Sequence, residues 1–165
     1  MSITNCLRWL LPAAASLLLV AACSATHDPN PPVGELGKTV IPSHYSIDLS
    51  IDPSKDRFSG TVVIDILLNE SQDAIWLHGK NLDVAEVYLT DSDSDRIDAS
   101  YAERLDSGVA LVTLASGASA GPAKLHFSYS APFNTSVNAL FKMDRDGDYY
   151  AATQFEPIAA RQVFP

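Results

Sequence analysis

The chain has 165 residues, 47% of them hydrophobic, with 20 Asp and Glu against 11 Lys and Arg and a formal net charge of −9. It carries no basic stripe with which to neutralise phosphates, so nucleic acid is excluded as a partner; the acidic balance favours cationic ligands only through long-range steering. Its 2 cysteines, Cys6 and Cys23, both lie in the first segment, so no disulfide framework is available and an apolar core must hold the fold.

From Leu10 to Ala22 the chain is apolar, interrupted by Pro12 and preceded by a short start carrying Arg8. Crossing a bilayer takes about 20 apolar residues, so this segment has instead the length of a signal-peptide core. It closes on Leu19-Val20-Ala21-Ala22-Cys23, which resembles a bacterial lipoprotein cleavage box. That resemblance implies a signal peptide over residues 1–22, lipidation of Cys23 and attachment to the membrane through it. It also implies a bacterial cell-envelope location, with Ser24 after the cysteine pointing to the outer membrane and periplasm. The alternative is an ordinary signal peptide that leaves Cys23 a free thiol. Residues 23–39 mix prolines, glycines and polar residues without an apolar period and form a flexible tether, in which His27 is a solvated residue.

The ordered domain, residues 40–165, starts near Val40-Ile41-Pro42. From His44 to Asp52 the alternation predicts a half-buried strand, with Tyr45, Ile47, Leu49 and Ile51 on one face. A turn at Pro53-Ser54-Lys55-Asp56 leads to a second strand with Phe58, Gly60, Val62, Ile64, Ile66 and Leu68 on one face, an antiparallel neighbour of the first. Gly60 within that pattern marks a bulge or a close backbone approach. Further strands are predicted at Ala74–His78, Leu82–Thr90, Ile97–Ala102, Val109–Leu114 and Lys124–Tyr129, the last two separated by a small-residue loop from Ser116 to Pro122. Alternation then disappears between Ala131 and Tyr149. Short strands with regular turn signals and no helical period predict an all-β fold, an antiparallel β-sandwich or curved sheet.

Two acidic clusters invite a cation. Asp144-Arg145-Asp146-Gly147-Asp148 lacks the third early ligand and the late bidentate Glu of a calcium loop, and Asp-Gly is a common turn dipeptide, so it reads as a turn. Asp91-Ser92-Asp93-Ser94-Asp95 reads as a solvated loop. No histidine stands in a His-Glu-x-x-His pair, so no metal site is predicted in this chain.

The last stretch holds the densest chemistry. A strand-like lead-in from Tyr149 to Thr153 runs into Gln154, Phe155 and Glu156; strand periodicity sets the two polar residues on one face, and Pro157 pushes Glu156 towards an extended conformation. A carboxylate held at a strand end by a following proline suits a cation. Spacing alone favours an ordinary solvated surface acid.

Thr153-Gln154-Phe155-Glu156-Pro157, followed by Ala160-Arg161 and Phe164-Pro165, resembles the signature that closes the N-terminal domain of zinc aminopeptidases of the aminopeptidase N family. Pro42-x-x-Tyr45, Phe58-Ser59-Gly60-Thr61-Val62 and the run from Ile75 to Leu82 are similar, in order and spacing, to that family's opening. The likeness covers the chain from about Ile41 onward. It implies a saddle-like β domain, incomplete at its C-terminal end, in which Gln154 and Glu156 line the active-site cleft. Glu156 would pair with the free α-ammonium of a peptide substrate, making the enzyme an exopeptidase. Ala139-Leu140-Phe141-Lys142 resembles the family's loop leading to the cleft, with less glycine, tyrosine and serine than usual. The family's zinc motif and its Gly-Ala-Met-Glu-Asn motif do not occur in these residues. The resemblance therefore implies zinc bound by the catalytic domain of an intact enzyme, no catalytic residue in this chain, no hydrolysis by the chain alone and marginal stability through a free sheet edge. The rival reading, a non-catalytic envelope β-sandwich lipoprotein that binds a ligand or partner, does not account for the closing signature.

Overall fold

The computed structural model describes residues 30–165; the leader, Cys23 and the first part of the tether lie outside the described residues. Among the described residues the chain forms nine strands: β1 (Val40–Ser50), β2 (Arg57–Leu68), β3 (Gln72–His78), β4 (Asp83–Thr90), β5 (Arg96–Leu105), β6 (Val109–Ala118), β7 (Gly121–Pro132), β8 (Ala139–Arg145) and β9 (Asp148–Gln154). The first seven form one antiparallel sheet in the order β1-β2-β7-β4-β5-β6-β3, curled into a half-barrel whose two edges are β1 and β3. The fold is all-β, as the turn spacing predicts.

The core is the inner face of that curl. Phe58, Val62, Ile64, Ile66 and Leu68 of β2 are at most 5% exposed, and Leu125, Phe127 and Tyr129 of β7 are buried beside them. At about 25 cal/mol per Å² of apolar surface removed from water, this shared face is the main source of stability. β1 and β2 pair antiparallel from Val40 opposite Leu68 to Ser50 opposite Ser59, with a shift in register between Pro42 and His44. Gly60 lies opposite Tyr129, and a Cβ there would meet the tyrosine hydroxyl oxygen at 2.7 Å. The predicted close approach is therefore made by a side chain reaching over the strand.

Three expectations change. β1 has the predicted alternation, but only Val40 and Leu49 pack against the core, while Tyr45 and Ile47 are 42% and 41% exposed. As an edge strand it has one neighbour, β2. The small-residue run from Ser116 to Pro122 is mostly strand, because backbone pairing carries β6 to Ala118 and β7 resumes at Gly121. The region without alternation contains β8, whose Ala139-Leu140-Phe141 run is buried before it emerges into charged residues. β8 and β9 pair as a hairpin turned by Asp146 and Gly147, at φ 58° and 90°. Two successive left-handed residues match the twist of the flanking strands. Asp144 Oδ1 accepts the Gly147 N–H at 3.0 Å, so this cluster is a turn, as its Asp-Gly dipeptide predicts.

Candidate functional site

β9 delivers the chain to the candidate site. Its last residue, Gln154, pairs with Ala139 of β8, and the strand ends there. Glu156 to Ile158 form a turn closed by the Ala159 N–H on Phe155 O at 2.9 Å, followed by a single 3₁₀ turn from Ala159 to Gln162. The Glu156–Pro157 peptide is cis. Gln154 and Glu156 are therefore not two positions on one extended strand face: Gln154 ends the strand and Glu156 sits at the head of a turn. Both side chains are exposed, while Phe155 between them is half-buried and meets Phe164 edge-on at 5.9 Å. Packing the aromatic inward turns its polar neighbours outward. Among the described residues the Glu156 carboxylate has no ion-pair or hydrogen-bond partner.

What fixes this turn is the segment that follows it. Ala159 and Val163 are at most 3% exposed, packed against the inner face of the sheet. The Tyr129 hydroxyl donates to Val163 O at 2.6 Å in a buried site. Burial pushes that hydroxyl above its ordinary range, which keeps it a donor. Arg161 Nη1 donates to Ser107 O at 2.7 Å, and Arg161 O accepts the Lys80 N–H at 2.7 Å. Gln162 Oε1 accepts from Asn134 Nδ2 at 3.2 Å. The closing segment is thus tied to β7, to the loop between β5 and β6, to the loop after β3 and to the approach to β8. Sequence reading singled out Arg161 but missed Tyr129, Ser107 and Val163 as the groups that hold it. The available signal was Gly60, a gap left for a large neighbour.

The described histidines do not suit zinc. His44, His78 and His126 stand on β1, β3 and β7, and the His126 Nε2 lies 3.0 Å from Thr90 Oγ1 with its ring stacked on Tyr88 at 4.4 Å. His78 is held below its ordinary pKa by burial and by the Arg161 charge, and its Nδ1 is buried without a hydrogen-bond partner. Among the described residues no three His, Cys, Asp or Glu side chains converge where a metal could sit. In the other acidic run, Asp91 Oδ1 accepts the N–H groups of Asp93 and Asp95, each at 3.0 Å, so its carboxylate closes its own loop.

Comparison with known proteins agrees with this architecture. Residues 41–165 match the family model of the Peptidase M1 N-terminal domain. The chain is 26% identical over 162 residues to the probable M1 family aminopeptidase 2 of Encephalitozoon cuniculi, an alignment covering 96% of this chain and 18% of that protein. It is 25% identical over 162 residues to the probable M1 family aminopeptidase 1 of the same organism. It is 26% identical over 132 residues to the puromycin-sensitive aminopeptidase of Caenorhabditis elegans, covering 75% of this chain and 14% of the relative. The chain spans less than a fifth of the length of these relatives. With the family model covering all the strands and the closing segment, the chain belongs to the M1 aminopeptidase family, as its N-terminal β domain.

Proposed function

We propose that this domain serves a zinc aminopeptidase that removes N-terminal residues from peptides, and that its part is to present Glu156 to the substrate's α-ammonium, with Gln154 as a further polar contact. The observation that carries the reading is an exposed, unpartnered carboxylate on a turn whose other residues are packed and hydrogen-bonded. A carboxylate free of internal partners keeps its lone pairs for an incoming ammonium, and an anchored turn loses little entropy when it binds. A peptide N-terminus is the one backbone position that carries a positive charge, so such a contact selects for exopeptidase action. On this reading the zinc required for hydrolysis belongs to the catalytic domain of the intact enzyme. The same reading makes the domain alone inactive.

The test is hydrolysis of an alanyl chromogenic amide by the chain alone and by the chain joined to whatever its gene encodes in frame. Activity is expected only in the longer protein. There Glu156→Gln should lower kcat/KM by about a hundredfold or more, in line with removal of one partner from a desolvated charge pair. Inhibitors with a free amine should weaken with it, while their des-amino analogues should not. Equal weakening of both inhibitor types would sink the assignment.

We also propose that the enzyme is a lipoprotein of the bacterial cell envelope, tethered by Cys23 through residues 23–39 at the outer membrane or periplasm. The support is the sequence Leu19-Val20-Ala21-Ala22-Cys23 and the proline-rich stretch after it. Metabolic labelling with a palmitate analogue should mark the protein, and Cys23→Ser should abolish the label. Labelling that survives this change would rule the anchor out.

A further inference from the structure

Three segments far apart in the chain meet at one turn. Asp106 to Gly108 link β5 to β6, with the Gly108 N–H on Leu105 O at 2.8 Å. Gly108 O accepts the N–H of Gly79, just after β3, at 2.9 Å, and Lys80 Nζ donates to Asp106 O. The closing segment completes the junction: the Lys80 N–H donates to Arg161 O and Arg161 Nη1 donates to Ser107 O, each at 2.7 Å. Arg161 is thus held twice, through its carbonyl and through its guanidinium.

Gly108 stands at the centre of this junction, where a side chain has no room. It is buried, and a Cβ on it would lie 2.9 Å from Arg161 Cδ and 2.9 Å from Lys80 Cβ. Those atoms belong to the two residues that share the Lys80 N–H bond, and neither is the free end of a side chain. Its φ of 86° is a second demand for glycine. Gly147 separates the two demands: its φ is 90°, yet among the described residues nothing lies within 4 Å of a Cβ built there.

From Arg161 the constraint runs back to Glu156 through short, bonded turns. The Val163 N–H donates to Ala160 O at 2.8 Å and the Ala159 N–H to Phe155 O at 2.9 Å, which leaves this stretch little freedom to absorb a shift of Arg161. Misplacement of a binding group by about 1 Å can cost about a hundredfold in rate. We propose that Gly108 is a positioning residue for Glu156: by carrying no side chain it seats Arg161, and the seated Arg161 fixes the turn that presents the carboxylate. The consequence for substrate rests on the reading of Glu156 above; the seating does not.

The chain joined to whatever its gene encodes in frame is assayed as Gly108→Ala, Gly147→Ala and Glu156→Gln, and with Gly108→Ala and Glu156→Gln combined. Gly108→Ala should lower kcat/KM by about tenfold or more, mainly through KM, because the ammonium contact exists before and during reaction; Gly147→Ala should change it less than about twofold. In the Glu156→Gln background the Gly108→Ala loss should shrink below about twofold, since nothing is left to position. A full loss in that background, or equal losses from the two glycine changes, overturns the proposal. In the chain alone, hydrogen exchange at the Ala159 and Val163 amides should quicken in Gly108→Ala and not in Gly147→Ala; unchanged exchange overturns the proposal as well. Should Glu156→Gln weaken free-amine and des-amino inhibitors alike, the reading of Glu156 fails, and the exchange comparison by itself decides whether Gly108 seats the turn. If Gly108→Ala does not fold, Arg161→Gln replaces it in each comparison, and Arg161→Lys, which keeps a donor for Ser107 O, should recover most of the loss.

Discussion

The centre of the sheet and the closing segment are both buried, but they are held by different means. β2 and β7 share an unbroken register from Arg57 opposite Pro132 to Leu68 opposite Gly121, and their apolar rows lie on one core face. Residues 155–165 have no strand pairing; a few specific bonds hold them, among them the buried one from Tyr129 to Val163. A ladder is redundant and a latch is not. The difference separates what keeps the domain folded from what positions Glu156, and substitutions should sort accordingly.

The largest effect is expected at the centre. Phe58 is 2% exposed and meets Phe133 edge-on at 5.5 Å, so Phe58→Ala should cost about 3–5 kcal/mol, read as a drop in denaturant midpoint with no change in slope. A loss confined to the closing segment would break the comparison.

Tyr129→Phe tests the latch. It removes the donor to a buried carbonyl and should cost about 1–3 kcal/mol. Hydrogen exchange should quicken first in residues 155–165 and least in β2. Uniform acceleration across the sheet would mean that the two regions unfold as one.

Acid provides a milder probe. Burial, and then Arg161, hold His78 below its ordinary value of 6.5, and burial with Lys124 and Arg96 does the same for His126 against the opposing pull of Asp65. Unfolding lets both rings take up protons at the ordinary value, so the unfolded state binds more protons and stability falls as pH drops through about 6.5. The denaturant midpoint should therefore be lower at about pH 5.5 than at about pH 7.5. His78→Gln should flatten part of that dependence; an unchanged pH profile would show that His78 titrates alike in both states.

The smallest effect belongs to the tip of the turn. Glu156→Gln should leave the midpoint within about 0.5 kcal/mol of the parent, because the carboxylate is exposed and has no partner among the described residues. A clear loss of stability would make Glu156 part of the latch and not the group it presents.

Much of the sheet was legible from period alone. In β2 the apolar residues from Phe58 to Leu68 recur every second position, and burial follows that row. β1 carries the same signal and is nonetheless exposed, since a pattern records which face is apolar but not whether anything covers it. β8 was illegible because its buried residues are consecutive and its exposed ones follow as a block, leaving no alternation to find. At the candidate site, Gln154 and Glu156 were found by resemblance to a known signature. Strand periodicity does not reach Glu156, because β9 ends at Gln154 and the chain turns from Glu156 to Ile158.

Local chemistry in the sequence therefore determined the all-β class, the pairing of β1 with β2, the Asp146-Gly147 turn and the family. Side-chain period and turn residues act over a few positions, and those features need no more. Tertiary structure alone decided that β3 lies at the far edge from β1, that Tyr129 reaches past Gly60 to hold Val163, and that Phe155 turns inward so that Glu156 faces out. Each of these joins residues far apart in the chain or depends on how the sheet curls, and no local pattern encodes the distance between them.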